Sequence, residues 1–272
     1  MRNIFYLLIL IMVISGAEAQ KKDKIYTSME QALKEPTLVK VLNLKGQNLK
    51  TLPADISKFV NLESLDLSYN SFTSVPSSLS KLLKLKVLCL NNNALTTLPA
   101  DMSSLKEIRT LRLDANPFTN PVGELKKLAL MAKLSTLNYS ANKLSAFPEE
   151  LLKMANLSDL DLGYGSIKSL PGTIDKLKSL RRLVLTKNLI TSFPPAFFNL
   201  PKLENIDLSY NDFKALQPEF ANLPLNVIDI SYNKNLTTIP TIKGLRYINV
   251  KSTKINMDKL KWLVGEECIV LN

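Results

Sequence analysis

The chain has 272 residues and contains no histidine, two cysteines and one tryptophan. Without histidine there is no imidazole for general acid–base or nucleophile-activating work, and no imidazole ligand for a zinc or copper centre. The D-x-D-x-D-G pattern of a calcium loop is missing too. Long apolar runs are absent except for Ile4 to Ile14, which is 11 residues and well short of the roughly 20 that span a bilayer. With Arg2 before it and Ala17-Glu18-Ala19 after it, this run has the form of a secretory signal whose removal leaves Gln20 first. No cysteine follows it, so a lipid anchor is not indicated. No polar or Pro/Gly-rich linker divides the rest, which therefore reads as one unit.

What is present is a repeat. The pattern L-x-x-L-x-L-x-x-N-x-L-x-x-L-P begins at Val39, Leu62, Leu85, Ile108, Leu134, Leu157, Leu180, Leu203, Leu225 and Leu245, at intervals of 23, 23, 23, 26, 23, 23, 23, 22 and 20 residues. Each unit is a short strand plus a return arc, too small to bury its own apolar face, so neighbours must stack. In the copy at Leu62, Leu65 and Leu67 point to one side of the strand while Ser64, Asp66 and Ser68 point to the other. Pattern position 9 holds Asn70, Asn93, Asn116, Asn142, Asn188, Asn211 and Asn233, whose amides can satisfy turn backbone that has no helix or sheet partner. Gln47, Gly165 and Thr253 depart from it, and at Gly165 a water or a loosened turn is expected. Prolines such as Pro53, Pro76, Pro148 and Pro194 mark the turn onto the arc. In the 26-residue interval, Leu125, Leu128 and Met131 have helical spacing, so a fuller helix is expected there.

These residues resemble the leucine-rich-repeat family, in its 23-residue class with LPxxIxxL arcs. The resemblance implies an α/β leucine-rich-repeat solenoid, a horseshoe with a parallel β-sheet on its concave face, used as a non-enzymatic binding scaffold without a cofactor. Secreted animal members usually close their ends with cysteine-rich caps, and none is present here, so the resemblance favours a bacterial exported protein. The division expected is a signal peptide at 1–19, an N-terminal helical cap at 20–38, repeats at 39–256 and a C-terminal helix–strand cap at 257–272. Ser28-Met29-Glu30-Gln31 has the form of a capping box, and Ile269 and Leu271 alternate as an edge strand does. Seven strand spacings separate the repeats of Cys89 and Cys268, on the order of 34 Å, which no disulfide reaches.

The net charge is +11 and the pI about 9.5. Yet pattern positions 2, 3, 5, 7 and 8, which face the concave side, total only +2 and change sign in bands along the repeats. A continuous positive stripe for a phosphate backbone is absent there, so no nucleic-acid partner is expected. The concave positions instead interleave tyrosines with charge. Asp161 and Tyr164 stand beside Arg182, followed by Asp207 and Tyr210, then Asp229 and Tyr232. Aromatic anchors bordered by charged groups are the composition of interaction hot spots. These seven are the candidate partner-binding residues, for a protein or, as the alternative, a carbohydrate or cell-wall ligand that stacks on the tyrosines. The same charges could equally bridge between strands and stabilise the sheet. Asp207 and Asp229 are neighbours across one strand gap, expected on an open, wet surface without a pocket for catalysis or a metal. Cys89 is expected as an exposed, incidental thiol without a base partner.

Overall fold

The computed structural model describes residues 23–272. The signal sequence expected at 1–19 lies outside the described residues. Twelve short strands form one all-parallel sheet in chain order: β1 (Ile25–Tyr26), β2 (Val41–Asn43), β3 (Ser64–Asp66), β4 (Val87–Cys89), β5 (Thr110–Arg112), β6 (Thr136–Asn138), β7 (Asp159–Asp161), β8 (Arg182–Val184), β9 (Asn205–Asp207), β10 (Val227–Asp229), β11 (Tyr247–Asn249) and β12 (Ile269–Leu271). The register keeps like pattern positions side by side: Leu160 pairs with Leu183, and Asp161 with Val184. Each repeat thus delivers its central leucine to one core column, where Leu65, Leu88, Leu111, Leu137, Leu160 and Leu183 are fully buried. Burying such a side chain contributes roughly 1.5–3 kcal/mol, realised only when the next repeat covers it.

The return arcs are mostly single 3₁₀ turns launched by proline. The Pro53 carbonyl accepts from the Ile56 N–H at 3.1 Å and the Pro148 carbonyl from the Leu151 N–H at 3.0 Å. The 26-residue interval carries instead an α-helix, α2 (Pro121–Lys126), capped by the Asn120 side chain, which accepts from the Gly123 N–H at 3.1 Å. Its buried Glu124 accepts from the Leu98 N–H at 2.6 Å and tethers this arc to the previous one. No helix lies between β10 and β11, where the interval shrinks to 20 residues.

The asparagine column works as its position predicts. Asn211 Nδ2 donates to Leu185 O at 2.9 Å and to Leu208 O at 3.0 Å, while its Oδ1 accepts from the Ile190 N–H at 3.0 Å. One amide so joins two repeats. At Gly165 the expected loosening is not found. The Ser166 N–H donates to Leu144 O at 2.7 Å, and a Cβ on Gly165 would stand 2.6 Å from that carbonyl and 2.8 Å from Asn188 Oδ1. The missing amide is replaced by closer backbone.

The ends differ. At the start, α1 (Met29–Leu33) is capped by Ser28, whose side chain accepts from the Gln31 N–H. The Gln31 side chain reaches the Thr27 N–H at 3.4 Å rather than that of Ser28, so the capping box is incomplete. Beside α1 lies β1, a strand without a repeat pattern, whose buried Tyr26 donates its hydroxyl to Glu35 at 2.7 Å. At the other end, α3 (Met257–Val264) buries Leu260 and Val264 and leaves Trp262 89% exposed. Among the described residues no helix is long and apolar enough to cross a membrane.

Candidate functional site on the concave face

Pattern position 5 ends each of β2 to β11, and where it is asparagine or aspartate its side chain folds back onto the turn that follows. Asn43, Asn138 and Asn249 accept there from the N–H two residues on, at 3.0, 3.2 and 3.2 Å. Asp161 accepts likewise from Gly163 at 3.0 Å. Asp207 accepts from the N–H and hydroxyl of Ser209 at 2.9 and 2.6 Å, and Asp229 from those of Ser231 at 2.9 and 2.6 Å. This Asx geometry turns the chain out of the sheet.

The aspartates are not on an open, wet surface. Asp161, Asp207 and Asp229 retain only 8%, 8% and 6% exposure, because strands one spacing apart press neighbouring side chains against them. Burial pushes the Asp207 carboxyl up to about 6, the Asp229 charge adding to it and the Ser209 hydrogen bonds opposing it. Burial also raises Asp161, against the Gly163 N–H and the positive charges of Arg182 and Arg112. Asp229 is raised in the same way, opposed by Ser231 and Asn249.

Position 8 takes the left-handed backbone conformation in every repeat. Gly46, Asn92 and Ser252 fill it at φ 70°, 54° and 57°, and so do Tyr69, Tyr164, Tyr210 and Tyr232 at φ 56°, 57°, 55° and 57°. For a bulky side chain this conformation is uncommon and costs on the order of 1 kcal/mol or more. The Tyr210 and Tyr232 rings stack with centroids 4.1 Å apart and planes 10° apart, and Tyr210 is half exposed. Lys187 Nζ lies 5.2 Å from the Tyr164 ring centroid. Successive repeats therefore present ring, cation, ring, ring along the strand exits.

Arg182 is half-buried in β8, in register with Asp159 on one side and Asn205 on the other. It borders a shallow depression whose floor includes Val184, Asn205, Asp207 and Val227. The structure thus brings Asp207, Tyr210, Asp229 and Tyr232 together on adjacent repeats with Arg182 one strand away; Asp161 and Tyr164 lie beyond Val184. The valines were not singled out from the sequence, although valine at positions 3 and 5, where most repeats are polar, is a readable signal. A cross-strand ion pair does form at Arg181, which meets Glu204 at 2.5 Å. Cys89 is half-buried rather than exposed, and its thiol is pushed up to about 11, chiefly by burial, so it stays protonated and weakly nucleophilic. Both cysteines are free.

The internalin C2 structure from Listeria monocytogenes is similar over 73% of this chain and 83% of its own, with 23% identity and a TM-score of 0.63. That of internalin F from the same organism is similar over 88% and 68%, with 23% identity and a TM-score of 0.66. The ectodomain of the Arabidopsis thaliana receptor kinase GASSHO1/SCHENGEN3, solved in complex with CASPARIAN STRIP INTEGRITY FACTOR 2, aligns with 91% of this chain but over only 34% of its own length, at 21% identity and a TM-score of 0.60. These likenesses are of fold. No curated protein matches the chain. The family model described as "Leucine-rich repeat region" matches residues 23–162, and that described as "Leucine rich repeat" matches 156–213 and 178–234. The chain belongs to the leucine-rich repeat family.

Proposed function

We propose that this protein is an exported, non-enzymatic scaffold that recognises a protein partner through the concave face, with Asp161, Tyr164, Arg182, Asp207, Tyr210, Asp229 and Tyr232 at the contact. One observation carries the reading: these positions hold residues that the fold does not need. Where position 5 supplies an acceptor to the turn, Asn43, Asn138 and Asn249 do so without charge, and β4, β5 and β8 end in Cys89, Arg112 and Val184, which offer neither amide nor carboxylate. Asp161, Asp207 and Asp229 do the same work while burying a carboxylate. Position 8 requires a left-handed backbone, which Gly46 and Asn92 adopt with less strain than the tyrosines. Groups kept at a cost to stability are characteristic of sites that bind.

Export rests on the sequence of residues 1–19. The stacked Tyr210–Tyr232 pair, and the depression where Val184 and Val227 adjoin Asp207, offer apolar area next to desolvated charge, which suits a protein side chain better than a freely hydrated polymer. Replacing Tyr164, Tyr210 and Tyr232 together by alanine is expected to abolish capture of the partner from envelope and secreted fractions. Circular dichroism should show the fold intact. Retention of every captured protein at unchanged affinity would overturn the concave site; binding on a glycan array lost in the same variant would turn the reading to carbohydrate.

A further inference from the structure

The positive charge missing from the groove has a definite location. Before each of the repeats that start at Leu62 to Leu203, the residue three back is buried, as Phe59, Leu82, Leu105 and Leu177 are. The residues four, two and one back flank it. Over the seven turns leading into the repeats that start at Leu62 to Leu203, these flanking positions hold nine lysines, from Lys58 and Lys81 through Lys106 and Lys133 to Lys178 and Lys202, and one carboxylate, Glu107. Every one of the nine is exposed. Lys58, Lys133 and Lys178 reach Asp55, Glu107 and Asp175 yet keep side-chain exposures of 59%, 50% and 62%. Counting those carboxylates, the stripe still carries an excess of six positive charges.

The fold does not ask for lysine there. Ser104, Ala155 and Asn199 occupy equivalent places. Between the lysines stand bare apolar side chains: Val60, Leu83 and Leu130 are 54%, 69% and 78% exposed. These turns lie just before the strands, at the N-terminal edge of the sheet. An arc of stacked repeats meets a plane along such an edge at every turn, whereas its convex back touches only a few repeats and its hollow none.

We infer that this lysine and leucine flank docks on an anionic lipid bilayer, the lysines meeting headgroup phosphates and Val60, Leu83 and Leu130 entering the interface. A soluble phosphate polymer would engage the charges and gain nothing from the exposed leucines. The groove remains open to a partner in this pose, and the inference is independent of which residues bind there.

Sedimentation of the chain from Gln20 onward with vesicles tests it. Binding is expected to vesicles of mixed phosphatidylcholine and phosphatidylglycerol, not to phosphatidylcholine alone, and to weaken as salt is raised. Changing Lys81, Lys84 and Lys106 together to glutamate should lower the apparent affinity by roughly tenfold or more, and to glutamine by less. Leu83→Ser with Leu130→Ser should weaken binding severalfold at unchanged charge. These side chains are exposed, and thermal melts would show each variant folded. Failure to sediment with anionic vesicles, or undiminished binding by the glutamate variant, would overturn the inference. So would undiminished binding by the serine variant, which would point to a soluble polyanion or nucleic acid instead.

Discussion

At pattern position 5, asparagine and aspartate make the same hydrogen bond, and the difference between them is a charge held in a poorly hydrated place. Asp207 shows the consequence. Its folded carboxyl sits near 6, above its ordinary value of 3.8, so between those values the folded chain binds more protons than the unfolded one. Stability associated with this group is therefore greatest below about pH 4 and falls as pH rises through 6, by about 2–3 kcal/mol in all. Asp207→Asn keeps the acceptor for Ser209 and removes the charge. The variant is expected to be more stable than the parent by about 1–2 kcal/mol above pH 7, with the gap closing as pH falls toward 4. Urea denaturation at several pH values would measure it; a loss of stability at neutral pH would mean that the carboxylate is favourable where it lies. The left-handed tyrosines follow the same logic, since Gly46 and Asn92 show what the backbone accepts with less strain.

At the scale of the element, each strand and arc is only as good as its buried column. The 3₁₀ arcs, α2 in the long interval and the bare turn before β11 solve one problem with different lengths of chain. α3 has the harder task of closing an end, and its two faces divide the work: Leu260 is fully buried while Trp262 projects into solvent. Leu260→Ala is expected to cost about 2–4 kcal/mol through the cavity it leaves, and Trp262→Ala less than about 0.5 kcal/mol despite its size. Thermal or urea unfolding of the two variants checks the order, and a larger loss at Trp262 would place that indole in a contact outside the described chain. Elements with the repeat were legible from their leucine spacing. β1 was not, because two residues, Ile25 and Tyr26, carry no periodicity, and only pairing with β2 makes them a strand.

The whole molecule is a stack in which each repeat contacts chiefly its neighbours, so exposed ends matter more than in a globule. At the N-terminal end, β1 covers the edge of β2, Ala32 of α1 is fully buried, and Glu35 draws in both Tyr26 and Lys24, at 2.7 and 2.8 Å. A chain starting at Val39 would leave β2 and the Leu42 and Leu44 column as an open edge. It is expected to form soluble oligomers or aggregates on size-exclusion chromatography; a monomer with an unchanged melting temperature would show that the lid is dispensable.

The amino-acid order alone determined the repeat, the register, the core columns and the asparagine amides between them, because each depends on spacing along one chain and on the two-residue alternation of a strand. It also marked Asp161, Tyr164, Arg182, Asp207, Tyr210, Asp229 and Tyr232 as groove-facing. Only the tertiary structure decided that the aspartates are buried, that Tyr210 stacks on Tyr232, that Gly165 draws the backbone in, and that the lysines gather on one flank. Those outcomes depend on what the next repeat, some 20 to 26 residues away in sequence, places beside each group. Burial, stacking and pKa are properties of that packed neighbourhood rather than of the residue itself.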